Sequence, residues 1–312
     1  MEGGKPNFDE LFEKVLLYPD FEYQERLNML VGLDNQKLRL IKIISLLVNP
    51  TGIEEWAHKH HKGTKKALNY VLRRPPLIVL EGDVGSGKSE LATTISDAVA
   101  RQEKIEIQLL PLSLSTRGQG RVGEMTRLIS AAFDYTIERA EKLKNKSNSS
   151  SRGAVILLVD EADALTQSRE NAQMHHEDRA GVNAFIRGID RIANGKLPAA
   201  IIMCTNRMNA LDPAVKRRSA DILSFGRPTE EQRSLVLKEP LEELGFTEEQ
   251  IFEIVKATGS NNEDKEGFTF SDLTQRLIPL IILNAYPNSP VEFKSAMQLV
   301  KQMNPTPPFN EK

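Results

Sequence analysis

Two stretches, AVILLVD (154–160) and AAIIMCTN (199–206), are apolar almost without a break. Strands of that kind belong in a sheet covered on both faces, where no side meets water and alternation is lost. PPLIVL (75–80), IEIQLL (105–110) and DILSF (221–225) read as three more strands. Between them the period changes to that of helices. Leu91, Ile95, Ala98 and Val99 share one helical face. Leu128, Ile129, Ala132, Phe133, Ile137 and Ala140 form a stripe over 123–143, and Val182, Phe185, Ile186 and Ile189 form another. Upstream, residues 31–50 carry helical spacing at Leu38, Ile41, Ile44 and Leu47. Strands alternating with helices predict a five-stranded parallel α/β sheet flanked by helices.

From about residue 228 the pattern is wholly helical. Thr229 to Gln232 and Thr247 to Gln250 each spell a capping box that marks a helix start. The chain therefore divides into a short N-terminal segment (1–30), a large α/β domain (31–227), a small helical domain (228–303) and a polar, proline-containing tail expected to be flexible (304–312). KNKSNSSSRG (144–153) reads as a solvated loop.

Composition narrows the class. The chain has 312 residues, 40% of them hydrophobic, which suffices for a real core. A formal net charge of −2 lacks the basic balance of a nucleic-acid binder. The single cysteine, Cys204, cannot form an intrachain disulfide, and the N-terminus MEGGKPNFDE is polar, so a cytoplasmic protein with no membrane span is expected.

Chemistry enters at GDVGSGKS (82–89), which matches G-x-x-x-x-G-K-[ST] after a strand and before a helix. Gly82, Asp83, Val84, Gly85, Ser86 and Gly87 would bring backbone N–H groups to phosphate oxygens, and the helix opening at Lys88, Ser89 and Glu90 directs its positive end there. Lys88 would reach the β- and γ-phosphates of ATP, and Ser89 would hold Mg²⁺. ILLVDEAD (156–163) ends its strand with Asp160 and Glu161. Asp160 is placed to complete the metal shell and Glu161 to act as general base toward water; the blander reading is an acidic helix N-terminus. Asp163 reads as structural. Asn206 ends the next strand, where its amide would orient the water and γ-phosphate.

Together these motifs resemble the AAA+ ATPases over about residues 28–290. VGLDNQK (31–37) looks like that family's N-linker, whose backbone at Val31 and Gly32 would flank adenine. TNRMNALDPAVKRR (205–218) looks like the sensor-1 stretch leading to arginine fingers. The resemblance implies an active site shared between subunits of a ring, usually a homohexamer, with Arg217 or Arg218 reaching a neighbour's γ-phosphate. The family often spaces two arginines three apart; here they are adjacent, which leaves the choice open. The resemblance also implies that residues 228–303 form a lid domain.

A narrower resemblance, to the pachytene-checkpoint ATPases, rests on DEADALTQSR (160–169), DRAGVNAFIRGIDRI (178–192), SADI (219–222) and SDLTQRLIP (271–279). It implies an ATP-driven remodeler of HORMA-domain proteins. The short segment before the linker is similar to the bacterial members associated with antiphage signalling. The competing expectation is a nucleic-acid motor or clamp-loader relative on the same fold.

Weaker signals depart from the family. GQGRVGEMTRL (118–128) resembles a pore loop, but Arg121 stands in the aromatic slot before Val122 and Gly123. Arg276 is a candidate nucleotide-sensing lid arginine, although the family position falls on Leu273, one turn away. His58, His60 and His61 read as a solvated basic face rather than a metal site.

Overall fold

The computed structural model describes residues 8–62, 65–113, 124–144, 151–163, 176–207, 211–260 and 266–309. The segment holding Arg121, Val122 and Gly123 lies outside them. The chain forms two compact units.

The first unit comprises residues 1–27, 35–81 and 89–224. It is organised by a six-stranded sheet: β1 (Leu16–Tyr18), β2 (Leu77–Gly82), β3 (Glu106–Ser113), β4 (Gly153–Asp160), β5 (Ala199–Thr205) and β6 (Ser219–Phe225), in the order β1-β3-β4-β5-β2-β6. β3, β4, β5 and β2 run parallel. The five expected strands all form, and the sheet gains one more. Leu16–Tyr18 adds a sixth strand, antiparallel to β3, from the segment expected to precede the fold. Three residues are too few to show alternation, so the strand left no periodic trace in the sequence.

β4 and β5 are buried along almost their whole length, as their unbroken apolarity requires. The helices Glu124–Leu143 and His176–Gly195 cover the sheet with the predicted stripes. They approach closely because Gly188 faces Phe133: a Cβ there would stand 2.3 Å from the ring. The rings of Phe133 and Phe185 meet edge to face at 5.6 Å. Upstream, the helix Asp34–Val48 buries Leu40, Ile43, Ile44 and Val48, so only Ile44 of the expected stripe is in the core. That helix is apolar around most of its circumference, and periodicity alone could not select the face.

The second unit comprises residues 28–34, 82–88 and 225–312. Both capping boxes form as predicted, at Thr229/Gln232 and Thr247/Gln250. Arg233 is buried and ties the two helices they start, donating to the carbonyls of Val255 (3.2 Å) and Pro228 (2.9 Å). A π-helical turn, Asp272–Leu277, then leads into the helix Ile278–Ala285.

Asp272 is fully buried. Its carboxylate accepts from the backbone N–H of Thr269 (3.0 Å) and Thr306 (2.9 Å), from the Thr306 hydroxyl (2.7 Å) and from Arg276 (2.5 Å). The tail expected to be flexible is therefore anchored at Thr306, by a carboxylate 34 positions away that no local pattern reveals. Burial alone pushes the Asp272 carboxyl up, but the four donors outweigh it and hold the group below its ordinary value. A carboxyl depressed in the folded state stabilises the fold above its unfolded value, near 3.8, and loses that contribution as pH falls toward the folded value. Asp272→Ala is therefore expected to cost about 2–4 kcal/mol at pH 7, since two backbone donors lose their acceptor. The gap from wild type should shrink below about pH 4, and denaturant unfolding at pH 7 and pH 3 checks both statements.

Candidate nucleotide site

The loop after β2 is shaped by three glycines with positive φ: Gly82 (149°), Gly85 (71°) and Gly87 (89°). A Cβ at Gly82 would lie 1.9 Å from the Phe225 carbonyl oxygen, and one at Gly85 would lie 2.7 Å from Thr269 Oγ1. The loop is therefore drawn tightly against residues of its own unit, and side chains at either position would break that fit.

Lys88 is buried at the start of the helix Lys88–Glu103. Its ammonium donates to the carbonyls of Asp83 (2.7 Å) and Gly82 (3.0 Å) and to Ser86 Oγ (3.3 Å). These contacts fold the lysine along the loop it would share with a phosphate. Val84 is partly exposed on the same loop.

Ser89 and Asp160 meet, the hydroxyl donating to Oδ1 at 3.1 Å. The same oxygen accepts the Glu161 N–H at 2.9 Å. A hydroxyl and a carboxylate at the end of a strand are hard oxygen donors of the kind Mg²⁺ takes, so the residues present fit that ion. Glu161 is exposed and sits at φ 51°, a left-handed conformation that a non-glycine residue adopts at a cost. Ala162 N–H donates to the Cys204 carbonyl (2.9 Å), which fixes the turn against β5.

β5 lies between β4 and β2 and ends beside Asn206, as the sequence suggested. Asp163 is structural, as the sequence suggested. Its Oδ1 accepts from the Thr205 hydroxyl (2.7 Å) and from the Asn206 N–H (2.9 Å), so it holds the backbone that presents Asn206.

The two arginines separate. Both follow the short helix Pro213–Lys216, whose start is capped by the Asp212 side chain. Arg218 makes a bidentate pair with Asp190 (2.7 and 3.0 Å) and donates to the Ala214 carbonyl. The Asp190 hydrogen bond, outweighing desolvation, raises its pKa. Arg217 is exposed and has no ion pair among the described residues.

Glu90, grouped with the loop on sequence, has its carboxylate committed to Arg26 at 2.8 and 2.9 Å. It fastens the helix Phe21–Met29 to the helix that follows the loop. In the second unit Gly32 has φ 82° and its carbonyl accepts from Gln232 at 2.6 Å, while Val31 is exposed. Leu273 is fully buried and cannot sense a ligand; Arg276, one turn on, is half exposed and paired with Asp272. His58, His60 and His61 lie exposed on the helix Thr51–His61, and the described residues hold no cluster of three metal-ligating side chains. No helix among the described residues is long and apolar enough to cross a membrane.

Residues 78–227 match the family described as ATPase family associated with various cellular activities. The chain is 67% identical over 305 residues to CD-NTase-associated protein 6 of Escherichia coli strain MS 115-1, covering 98% of each. A chain of the solved E. coli MS115-1 HORMA:CdnC:Trip13 complex superposes with a TM-score of 0.91 at 65% identity, covering 98% of this chain and all of that one. The solved Rhizobiales Trip13 gives 0.75 at 53% identity, covering 96% of this chain and all of that one.

Proposed function

From the premise that this chain belongs to the AAA family of ATPases, we propose that it hydrolyses Mg·ATP in a homohexameric ring and uses the energy to remodel a HORMA-domain signalling protein in a bacterial antiphage pathway. The observation that carries this reading is likeness over nearly the whole chain to a protein solved together with HORMA and CdnC partners. The candidate nucleotide residues described above are all present beside that likeness.

In this reading residues 31–227 are the nucleotide-binding domain and 228–303 the lid. Lys88 and the loop N–H groups bind the phosphates, and Ser89 with Asp160 holds Mg²⁺, which when bound would neutralise charge on the β- and γ-phosphates. Glu161 takes the proton from the attacking water, and Asn206, steadied by Asp163, orients that water. Arg217 reaches the γ-phosphate of a neighbouring subunit. Val31 and Gly32 flank adenine, and Arg276 turns from Asp272 toward the nucleotide. Arg121, Val122 and Gly123 grip the partner. The protein works in the cytoplasm.

The test is a trap. Glu161→Gln protein purified from its native cells with ATP should carry a HORMA-domain protein, released when ADP replaces ATP. Nucleic acid bound in a salt-sensitive way, with no protein present, would instead favour a motor on DNA or RNA.

A further inference from the structure

Asp83, the second residue of the phosphate loop, turns its carbonyl and its carboxylate in different directions. The carbonyl accepts from Lys88. The carboxylate caps the loop at the Val84 N–H (2.9 Å) and pairs with Arg227 at 2.7 Å. Both side chains of this pair are nearly buried, 13% and 14% exposed. Arg227 then spends the rest of its fork on two carbonyls, Gly267 at 2.5 Å and Thr306 at 2.7 Å. Thr306 is itself held by Asp272. All of these residues belong to the second unit.

Each end of this chain of contacts is independently fixed. On one side, Asp83 N–H donates to the Phe225 carbonyl (3.1 Å), two residues before Arg227. On the other, the buried Asp272 accepts two hydrogen bonds from Thr306 (2.9 and 2.7 Å), and Arg276 donates to the Thr306 hydroxyl at 3.4 Å. A planar fork satisfied by one carboxylate and two carbonyls admits a single orientation, which a lysine cannot reproduce. The shape of the loop's first turn is thereby set from the lid segment and the C-terminal tail.

We propose that Arg227 is a positioning residue for nucleotide binding: through Asp83 it holds the first turn of the phosphate loop in the form that presents its N–H groups, with the Thr306 carbonyl as its backstop. This rests on the reading of 82–89 as the phosphate loop. It makes the tail a working part of the nucleotide site.

Direct calorimetric titration with ADP tests it, using the full chain. Arg227→Ala and Asp83→Asn should each weaken ADP binding about ten- to a hundredfold, the scale expected when a binding group is displaced by about an ångström. The double variant should be no weaker than the worse single one, because both changes break the same contact. Arg227→Lys should fall between, and ATPase assays should show the loss in KM rather than kcat. A merely structural arginine would lower the melting temperature and the active fraction while leaving the affinity of the folded protein intact. If Arg227→Ala fails to fold, Asp83→Asn, which keeps side-chain volume and the cap on Val84, decides with Arg227→Lys. Wild-type affinity in these variants, or additive losses in the double variant, would overturn the proposal alone. No ADP binding by the wild type would overturn the nucleotide reading and this proposal with it.

Discussion

Arg217→Ala is expected to lower ATP turnover about 10³-fold or more, the range lost with an arginine finger, whereas Arg218→Ala should lower it far less. The two arginines are equivalent in sequence but not in structure. Arg218 has two guanidinium nitrogens on Asp190 and a third on the Ala214 carbonyl, so it would have to abandon three contacts to reach outward. Among the described residues Arg217 has no such ties, and it is exposed, where in the proposed ring a neighbouring subunit would meet it. Arginine suits the task because its charge is permanent and its fork matches phosphate oxygens. Arg218 instead braces the turn after the helix Pro213–Lys216, which in the proposed function would aim Arg217. Asp190→Ala should therefore mimic Arg218→Ala, with a loss of about tenfold or less from a slackened turn.

A mixing experiment separates a trans role from a local one. Arg217→Ala and Glu161→Gln proteins are each expected to be nearly inactive. In a mixed ring, a site with its own Glu161 intact can receive Arg217 from the Glu161→Gln neighbour. Recovery of activity on mixing is the expected result. No recovery, or a thousandfold loss in Arg218→Ala with Arg217→Ala nearly normal, would reverse the assignment.

Much of the candidate site was legible because the chemistry proposed for it demands local order. A phosphate loop needs glycines at fixed offsets, and Gly82, Gly85 and Gly87 all take the positive φ that justifies them. Asp160 and Glu161 are announced by the unbroken apolar strand they end. The capping boxes were readable for the same reason: donor and acceptor lie three residues apart. Contacts that depend on distant partners were not legible. Asp83 and Arg227 are 144 positions apart, and Asp190 and Arg218 are 28 apart. A single sequence gives such pairs no period and no spacing. The pairing of the Glu90 carboxylate with Arg26, 64 positions away, was equally hidden. Asp163 reads as structural from the sequence, but only the hydrogen bonds to Thr205 and Asn206 reveal which backbone it holds.

Glu161→Gln should leave ATP binding close to wild type and lower turnover about 10²–10⁴-fold, the usual worth of a positioned general base. The substitution keeps the shape of the side chain but removes its ability to accept a proton from water. It leaves Lys88 on the loop and Ser89 against Asp160, so the groups that would hold phosphate and Mg²⁺ are untouched. The Glu161 N–H to Asp160 bond is a backbone contact and survives as well. Lys88→Ala is the necessary contrast, because it should lose binding and turnover together. The left-handed backbone at Glu161 sharpens the argument. A positive φ at an exposed non-glycine residue is a local cost of the kind that concentrates at functional sites. If Glu161→Gln turned over ATP within about tenfold of wild type, a loss too small for a general base, the proton would have to go elsewhere. If it lost ATP binding as Lys88→Ala does, the residue would be part of the binding site rather than the base.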